Sequence, residues 1–241
     1  MRIIYLFVGF LLFCYIAFSC FYFKGKQQKR ECTALQIVVK DSLEKHFVTE
    51  KELYSQLKQA KLNPINKQMY EINTEEIEKV LLKNEMIARV QAYKTPSGII
   101  KLEVQQKMPI MRIHSQKGNY YLDHAGSTMP ISSRYVAHVP VVTGYVEKEF
   151  ATSKLYDFAL FLQKDEFWNN QIEQIYVSPN QEVELIPRVG NHKIILGTFD
   201  DYIEKLTNLE LFYKQAIPKV GWNKYSTINL KYRNQIVCTK K

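Results

Sequence analysis

Asp123 and His124 stand side by side, the two residue types that general-base and triad chemistry pairs: an imidazole to move a proton and a carboxylate to orient it. Their setting favours another task. Tyr121-Leu122-Asp123-His124-Ala125-Gly126 reads as a strand entering a turn, where an Asp side chain bonds nearby backbone N–H groups and a glycine takes positive φ. His46, His114, His138 and His192 occur singly. No cysteine pair has C-x-x-C spacing and no H-E-x-x-H occurs, so the common zinc signatures fail and no metal ligand is assigned. The nine glycines are all isolated, the nearest pair being Gly190 and Gly197, which excludes both common phosphate-cradling loops. Glu75-Glu76 and Asp200-Asp201 fall where helices begin, and solvated first-turn acids explain them. The chain is therefore expected to have no catalytic residue, no cofactor and no small-molecule substrate, and to be no enzyme.

The elements around these residues come from 241 residues, 46% of them apolar, with 16 Tyr and 13 Phe, which excludes a disordered chain and predicts real cores. The net charge is +9, but residues 1–30 hold five basic side chains and no acid. The remaining body is only mildly basic and shows no nucleic-acid reading module, so no nucleic-acid partner is expected.

From Ile3 to Phe23 no side chain is charged, and about 21 residues at about 1.5 Å each match a hydrocarbon core. The run is too long and too bulky for a cleaved signal peptide, so residues 1–2 are read as a short tail, 3–23 as one transmembrane helix and 24–34 as a basic connector. Only Arg2 precedes the run while Lys24, Lys26, Lys29 and Arg30 follow it, and the positive-inside rule taken alone puts the body in the cytoplasm. Cys32 and Cys238 fit either a pair outside or two reduced thiols inside.

Beyond the connector, residues 35–39 read as a strand. Thr49 with Glu52, and Asn73 before Glu75-Glu76, cap two amphipathic helices. Residues 87–94 and 99–104 alternate around the turn Thr95-Pro96-Ser97-Gly98. This β-α-α-β-β unit over 35–107 is a small α+β domain. Residues 108–241 read as a larger β-rich domain with flanking helices over 151–162 and 200–214. Its last strand is expected to run unbroken from Tyr225 to Val237, as an edge open to a partner's strand or as a central strand of the core.

The order of these parts resembles the bacterial cell-division family FtsQ/DivIB. The residues that carry the likeness are Pro96 through Ile113, Tyr121-Leu122-Asp123-His124-Ala125-Gly126, Val139-Pro140-Val141-Val142-Thr143-Gly144, Leu196-Gly197, the helix through Lys205-Leu206, and Ile228-Asn229-Leu230-Lys231-Tyr232. The resemblance implies a POTRA domain over 35–107, a β domain over 108–241 and a non-catalytic scaffold of the divisome. It also implies one inner-membrane anchor with the N-terminus in the cytoplasm and the body outside, at the division site, the reverse of the charge rule. Its implied partners are FtsB and FtsL, with the septal peptidoglycan synthase complex FtsW/FtsI. By the same likeness Leu230, Lys231, Tyr232, Asn234 and Ile236 would meet an added FtsB-like strand, and Arg89, Ala92 and Lys94 would form a recruitment face on the POTRA domain. One alternative keeps the fold and makes the chain a POTRA-type peptide-binding module of envelope assembly or secretion. A membrane-anchored wall hydrolase would need a nucleophile or metal set, and the sequence offers none.

Overall fold

Alternating side chains build both sheets of the chain, and helix caps set where the chain leaves them. A computed structural model describes residues 9–19, 30–40 and 47–241. The chain divides after Gln106 into two units. Residues 9–19 are helical (α1), with Phe10, Leu12, Phe13 and Tyr15 exposed. Among the described residues no helix is long and apolar enough to cross a membrane, and the remainder of the 3–23 span, with most of the connector, lies outside them.

In the first unit β1 (Ala34–Lys40), β2 (Ile87–Lys94) and β3 (Ile99–Gln106) form a sheet in the order β1-β3-β2, with β1 parallel and β2 antiparallel to the central β3. Ile100, Leu102 and Val104 of β3 are fully buried on one face, as the period of two requires. The helices α2 (Glu50–Gln59) and α3 (Thr74–Leu81) bury Leu53, Leu57, Ile77 and Leu81 at helical spacing. Both expected caps form: the Thr49 hydroxyl accepts from the Glu52 N–H and the Asn73 side chain from the Glu76 N–H.

The second unit carries β4 (Pro109–Ser115), β5 (Gly118–Asp123), β6 (Thr128–Met129), β7 (Val141–Gly144), β8 (Ile172–Val177), β9 (Val183–Pro187), β10 (Lys193–Gly197), β11 (Tyr225–Asn229) and β12 (Val237–Lys240). They form one sheet in the order β12-β11-β10-β9-β8-β7-β4-β5-β6. Register aligns Tyr120, Ile113, Val142, Ile175, Leu185, Ile194, Ile228 and Cys238 in a single apolar row across eight strands. The row packs in a core with Leu155, Phe158 and Leu162 of α5 (Lys154–Lys164), Trp168 of α6 (Glu166–Gln171) and Leu206, Leu209 and Tyr213 of α7 (Tyr202–Gln215). The neighbouring row, one residue out of phase, holds His114, Thr143, Tyr176, Glu184 and Asn229, which is the two-faced pattern of a sheet covered on one side.

Two expectations are corrected. Helix 151–162 is split, because α4 (Lys148–Thr152) stops where the Thr152 and Ser153 hydroxyls donate back to the carbonyls of Lys148 and Glu149 and Ser153 leaves helical geometry. The strand Tyr225–Val237 is likewise broken: β11 ends at Asn229, a loop spans 230–236, and β12 returns antiparallel to it. Asn229 and Asn234 cause the break. The Asn229 Oδ1 accepts from the Lys231 N–H at 2.9 Å, and Asn234 takes the left-handed conformation with φ 58°.

Candidate functional site

Each unit has a sheet edge near the residues singled out from the sequence. In the first unit β2 is an outer strand, paired among the described residues only with β3. Ala92 stands opposite Leu102 and Lys94 opposite Ile100, on the side of the buried β3 residues, whereas Arg89 stands opposite Gln105 on the other side with Gln91 and Tyr93. The three residues therefore do not form one face. Strand alternation carried that signal already, since Arg89 and Ala92 are an odd number of positions apart. One edge amide and one side chain are also engaged from within. The Ala92 N–H donates to Glu78 Oε1 of α3 at 2.6 Å, and the Lys94 ammonium donates to the Met69 carbonyl.

On the opposite face of that sheet Glu103 collects three donors: the Tyr93 hydroxyl at 2.9 Å, Lys40 at 3.1 Å and Lys101 at 3.3 Å. The Tyr93 hydrogen bond foremost, then those from the two ammonium groups, holds its carboxyl down to about 2.

In the second unit the five predicted docking residues spread over the loop between β11 and β12. Leu230 is 3% exposed and its N–H donates to the Ile195 carbonyl at 2.9 Å, so its side chain belongs to the core. Lys231 lays its stem across Gly197, where a Cβ would come within 2.9 Å of Lys231 Cγ, and its ammonium meets Glu182 at 2.6 Å. Tyr232 is 56% exposed, Asn234 turns the chain, and Ile236 is half-buried against the core. Between this loop and the first turn of α7 lies a cleft of about 230 Å³, with Asp200, Asp201 and Glu204 on one wall and Tyr232, Arg233 and Ile236 on the other.

Among the described residues the sheet ends on β12, whose only strand partner is β11. Val237, Thr239 and Lys240 are exposed along it. Thr239 and Lys240 lie beyond the strand expected from the sequence, which ends at Val237. The turn-forming Asn234 followed by the β-favouring Ile236, Val237 and Thr239 was the available signal. An outermost strand leaves alternate N–H and C=O groups without a ladder partner, which is the template for pairing with a further strand.

Asp123 does what its turn requires. Its Oδ1 accepts from the N–H groups of Ala125 and Ser127 at 2.9 and 2.7 Å, and its other oxygen lies 3.6 Å from the Lys107 ammonium. The buried carboxylate is thus engaged by the backbone, while His124 is exposed. Among the described residues no group of three or more His, Cys, Asp or Glu side chains could hold a metal ion. Cys32 and Cys238 are both free thiols.

The model of the family FtsQ/DivIB, C-terminal related, matches residues 108–239, more than half of the chain. The chain belongs to the FtsQ/DivIB family. A POTRA-like domain model matches residues 30–105, so the first unit of this FtsQ/DivIB chain is POTRA-like and the second is its β-rich domain. Among solved structures, the major extracytoplasmic domain of the trans isomer of the bacterial cell division protein DivIB from Geobacillus stearothermophilus overlaps 48% of this chain and 98% of its own, at 13% identity and a TM-score of 0.34. An overlap that loose carries no argument about the fold. No curated protein matches the chain.

Proposed function

We propose that this chain is a non-catalytic scaffold of bacterial cell division. A single N-terminal helix anchors it in the cytoplasmic membrane, and the POTRA-like unit and β domain stand outside. The β12 edge accepts an extended segment of an FtsB-like partner, with FtsL and the septal synthase complex FtsW/FtsI in the same assembly. The observation that carries the reading is the position of β12: the outermost strand of a nine-stranded sheet in an FtsQ/DivIB chain, with exposed residues along it. An added strand would gain main-chain hydrogen bonds along β12 and draw specificity from the side chains beside it. Tyr232 and the half-buried Ile236 flank that edge and offer the aromatic and aliphatic anchors on which interfaces concentrate their energy. Recruitment through the POTRA-like unit uses Arg89 with its exposed neighbour Gln91, because Ala92 and Lys94 are engaged by α3 and the Met69 carbonyl and Tyr93 by Glu103.

The test is photo-crosslinking in cells from probes replacing Tyr232 and Thr239, with captured proteins identified by mass spectrometry. Capture of FtsB or FtsL from both positions is the expected result. Capture of secretion or assembly substrates instead would make the chain a peptide-binding module of envelope assembly. No capture from either position in a folded chain would remove the edge from the interface.

A further inference from the structure

His192, just ahead of β10, is 4% exposed and sits where three segments of the second unit meet. Its Nε2 lies 2.7 Å from the Tyr213 hydroxyl of α7, its ring stacks against the Trp222 indole at 6.4 Å and 17°, and that indole lies 5.1 Å from the Tyr213 ring. Nδ1 is buried and makes no well-formed hydrogen bond. Gly190 makes the space: at φ +91°, a Cβ on it would come within 2.7 Å of Nδ1.

Burial and one nearby cation oppose a positive charge on this ring. Lys241, at the end of the hairpin, repels an imidazolium. The Tyr213 hydroxyl is pushed up by burial and stays neutral, as does the Cys238 thiol of β12 that acts on Tyr213. The Trp222 backbone favours the charged ring, and the Tyr213 oxygen can accept from a protonated Nε2. Burial outweighs the backbone contribution, so His192 is held below its ordinary value of 6.5.

The same residues form the base of the β11–β12 hairpin. Trp222 leads directly into β11, Phe212 and Tyr225 face each other at 6.0 Å, and the Lys241 N–H donates to the Lys224 carbonyl. We infer that His192 is a proton-operated latch: protonating its ring releases Trp222 and loosens the β11–β12 hairpin, so that acidity governs how well the edge strand is held. The consequence for partner docking rests on the reading above, whereas the latch itself does not. The sign follows from linkage. A neutral, buried His192 stabilises the closed hairpin fully above about pH 6.5, and that stabilisation is lost as pH falls from there toward its depressed value. Over that window the opened population grows by up to about tenfold per pH unit.

The test uses the full-length chain in detergent, labelled with 5-fluorotryptophan so that its two tryptophans report separately by fluorine NMR. Hydrogen exchange over residues 225–240, corrected for the intrinsic pH dependence, is measured in parallel. The Trp222 resonance should titrate below pH 6.5 and corrected exchange of the hairpin should rise with it, up to about tenfold per pH unit. His192→Gln should abolish both changes. Lys241→Gln, at an exposed position, should move both midpoints upward, which keeps the latch testable if the first variant fails to fold. Corrected exchange that stays flat while Trp222 titrates, or a pH dependence that survives in folded His192→Gln, would overturn the latch. Crosslinking from Thr239 at neutral pH reports separately on the docking reading.

Discussion

The two sheets end differently. In the POTRA-like unit one edge amide of the outer strand β2, that of Ala92, is capped by Glu78 of α3, and the far face carries the network on Glu103. In the β domain the outer strand β12 is short, exposed and paired with β11. A sheet edge is a hazard unless it is covered or used, so a partly capped edge and an open one in the same chain lead to the expectation that pairing favours β12 over β2.

The largest expected effect tests how the open edge is held. Ile228 is fully buried in the apolar row, and Ile228→Ala should cost about 2–5 kcal/mol in denaturant unfolding of the β domain, with β12 the first segment to lose exchange protection. Equal loss of protection in β8 and β9 would mean the hairpin is no weaker than the sheet it borders. Uncapping the other edge should cost less. Glu78→Ala strands the Ala92 N–H and should destabilise the POTRA-like unit by about 1–2 kcal/mol, with self-association visible by sedimentation as β2 becomes a pairing surface.

The polar face gives a pH-dependent comparison. Because Glu103 is held down to about 2, its contribution is complete above the ordinary carboxylate range and fades as pH falls from about 4.5 toward 2. Tyr93→Phe removes the leading cause and should raise the Glu103 titration midpoint measured by NMR, whereas a variant at Tyr232 should leave it unmoved. The smallest effect is expected for Lys231→Ala. Its pair with Glu182 is substantially exposed, so stability should change by less than about 1 kcal/mol, and crosslinking from Tyr232 should report any change in the loop's position.

Local chemistry was legible where it acted over a few residues. Thr49 and Asn73 cap the helices as their spacing predicts, the Asp123 turn forms, and the 95–98 turn joins two alternating strands. The terminal strand was misread because Ile228, Leu230, Tyr232 and Ile236 keep a period of two through a region where the backbone turns. Two asparagines override that pattern, since a side-chain bond at Asn229 and a left-handed residue at Asn234 satisfy the backbone locally. The His192 cluster was illegible for another reason: His192, Tyr213 and Trp222 come from separate segments, and only the tertiary fold gathers them.

The parallel pairing of β1 with β3 has a kinetic consequence. The β2–β3 hairpin closes through the short turn at 95–98 and can form on the order of microseconds. The Thr33 N–H reaches the Gly98 carbonyl across 65 positions of chain, so β1 can add only after a long loop closes. During that interval the central strand β3 has one bare side, and a nascent chain is most open to mispairing there. Changes in the 95–98 turn should therefore slow refolding, and changes in β1 should mainly hasten unfolding, making β1 the last strand to arrive and the first to leave.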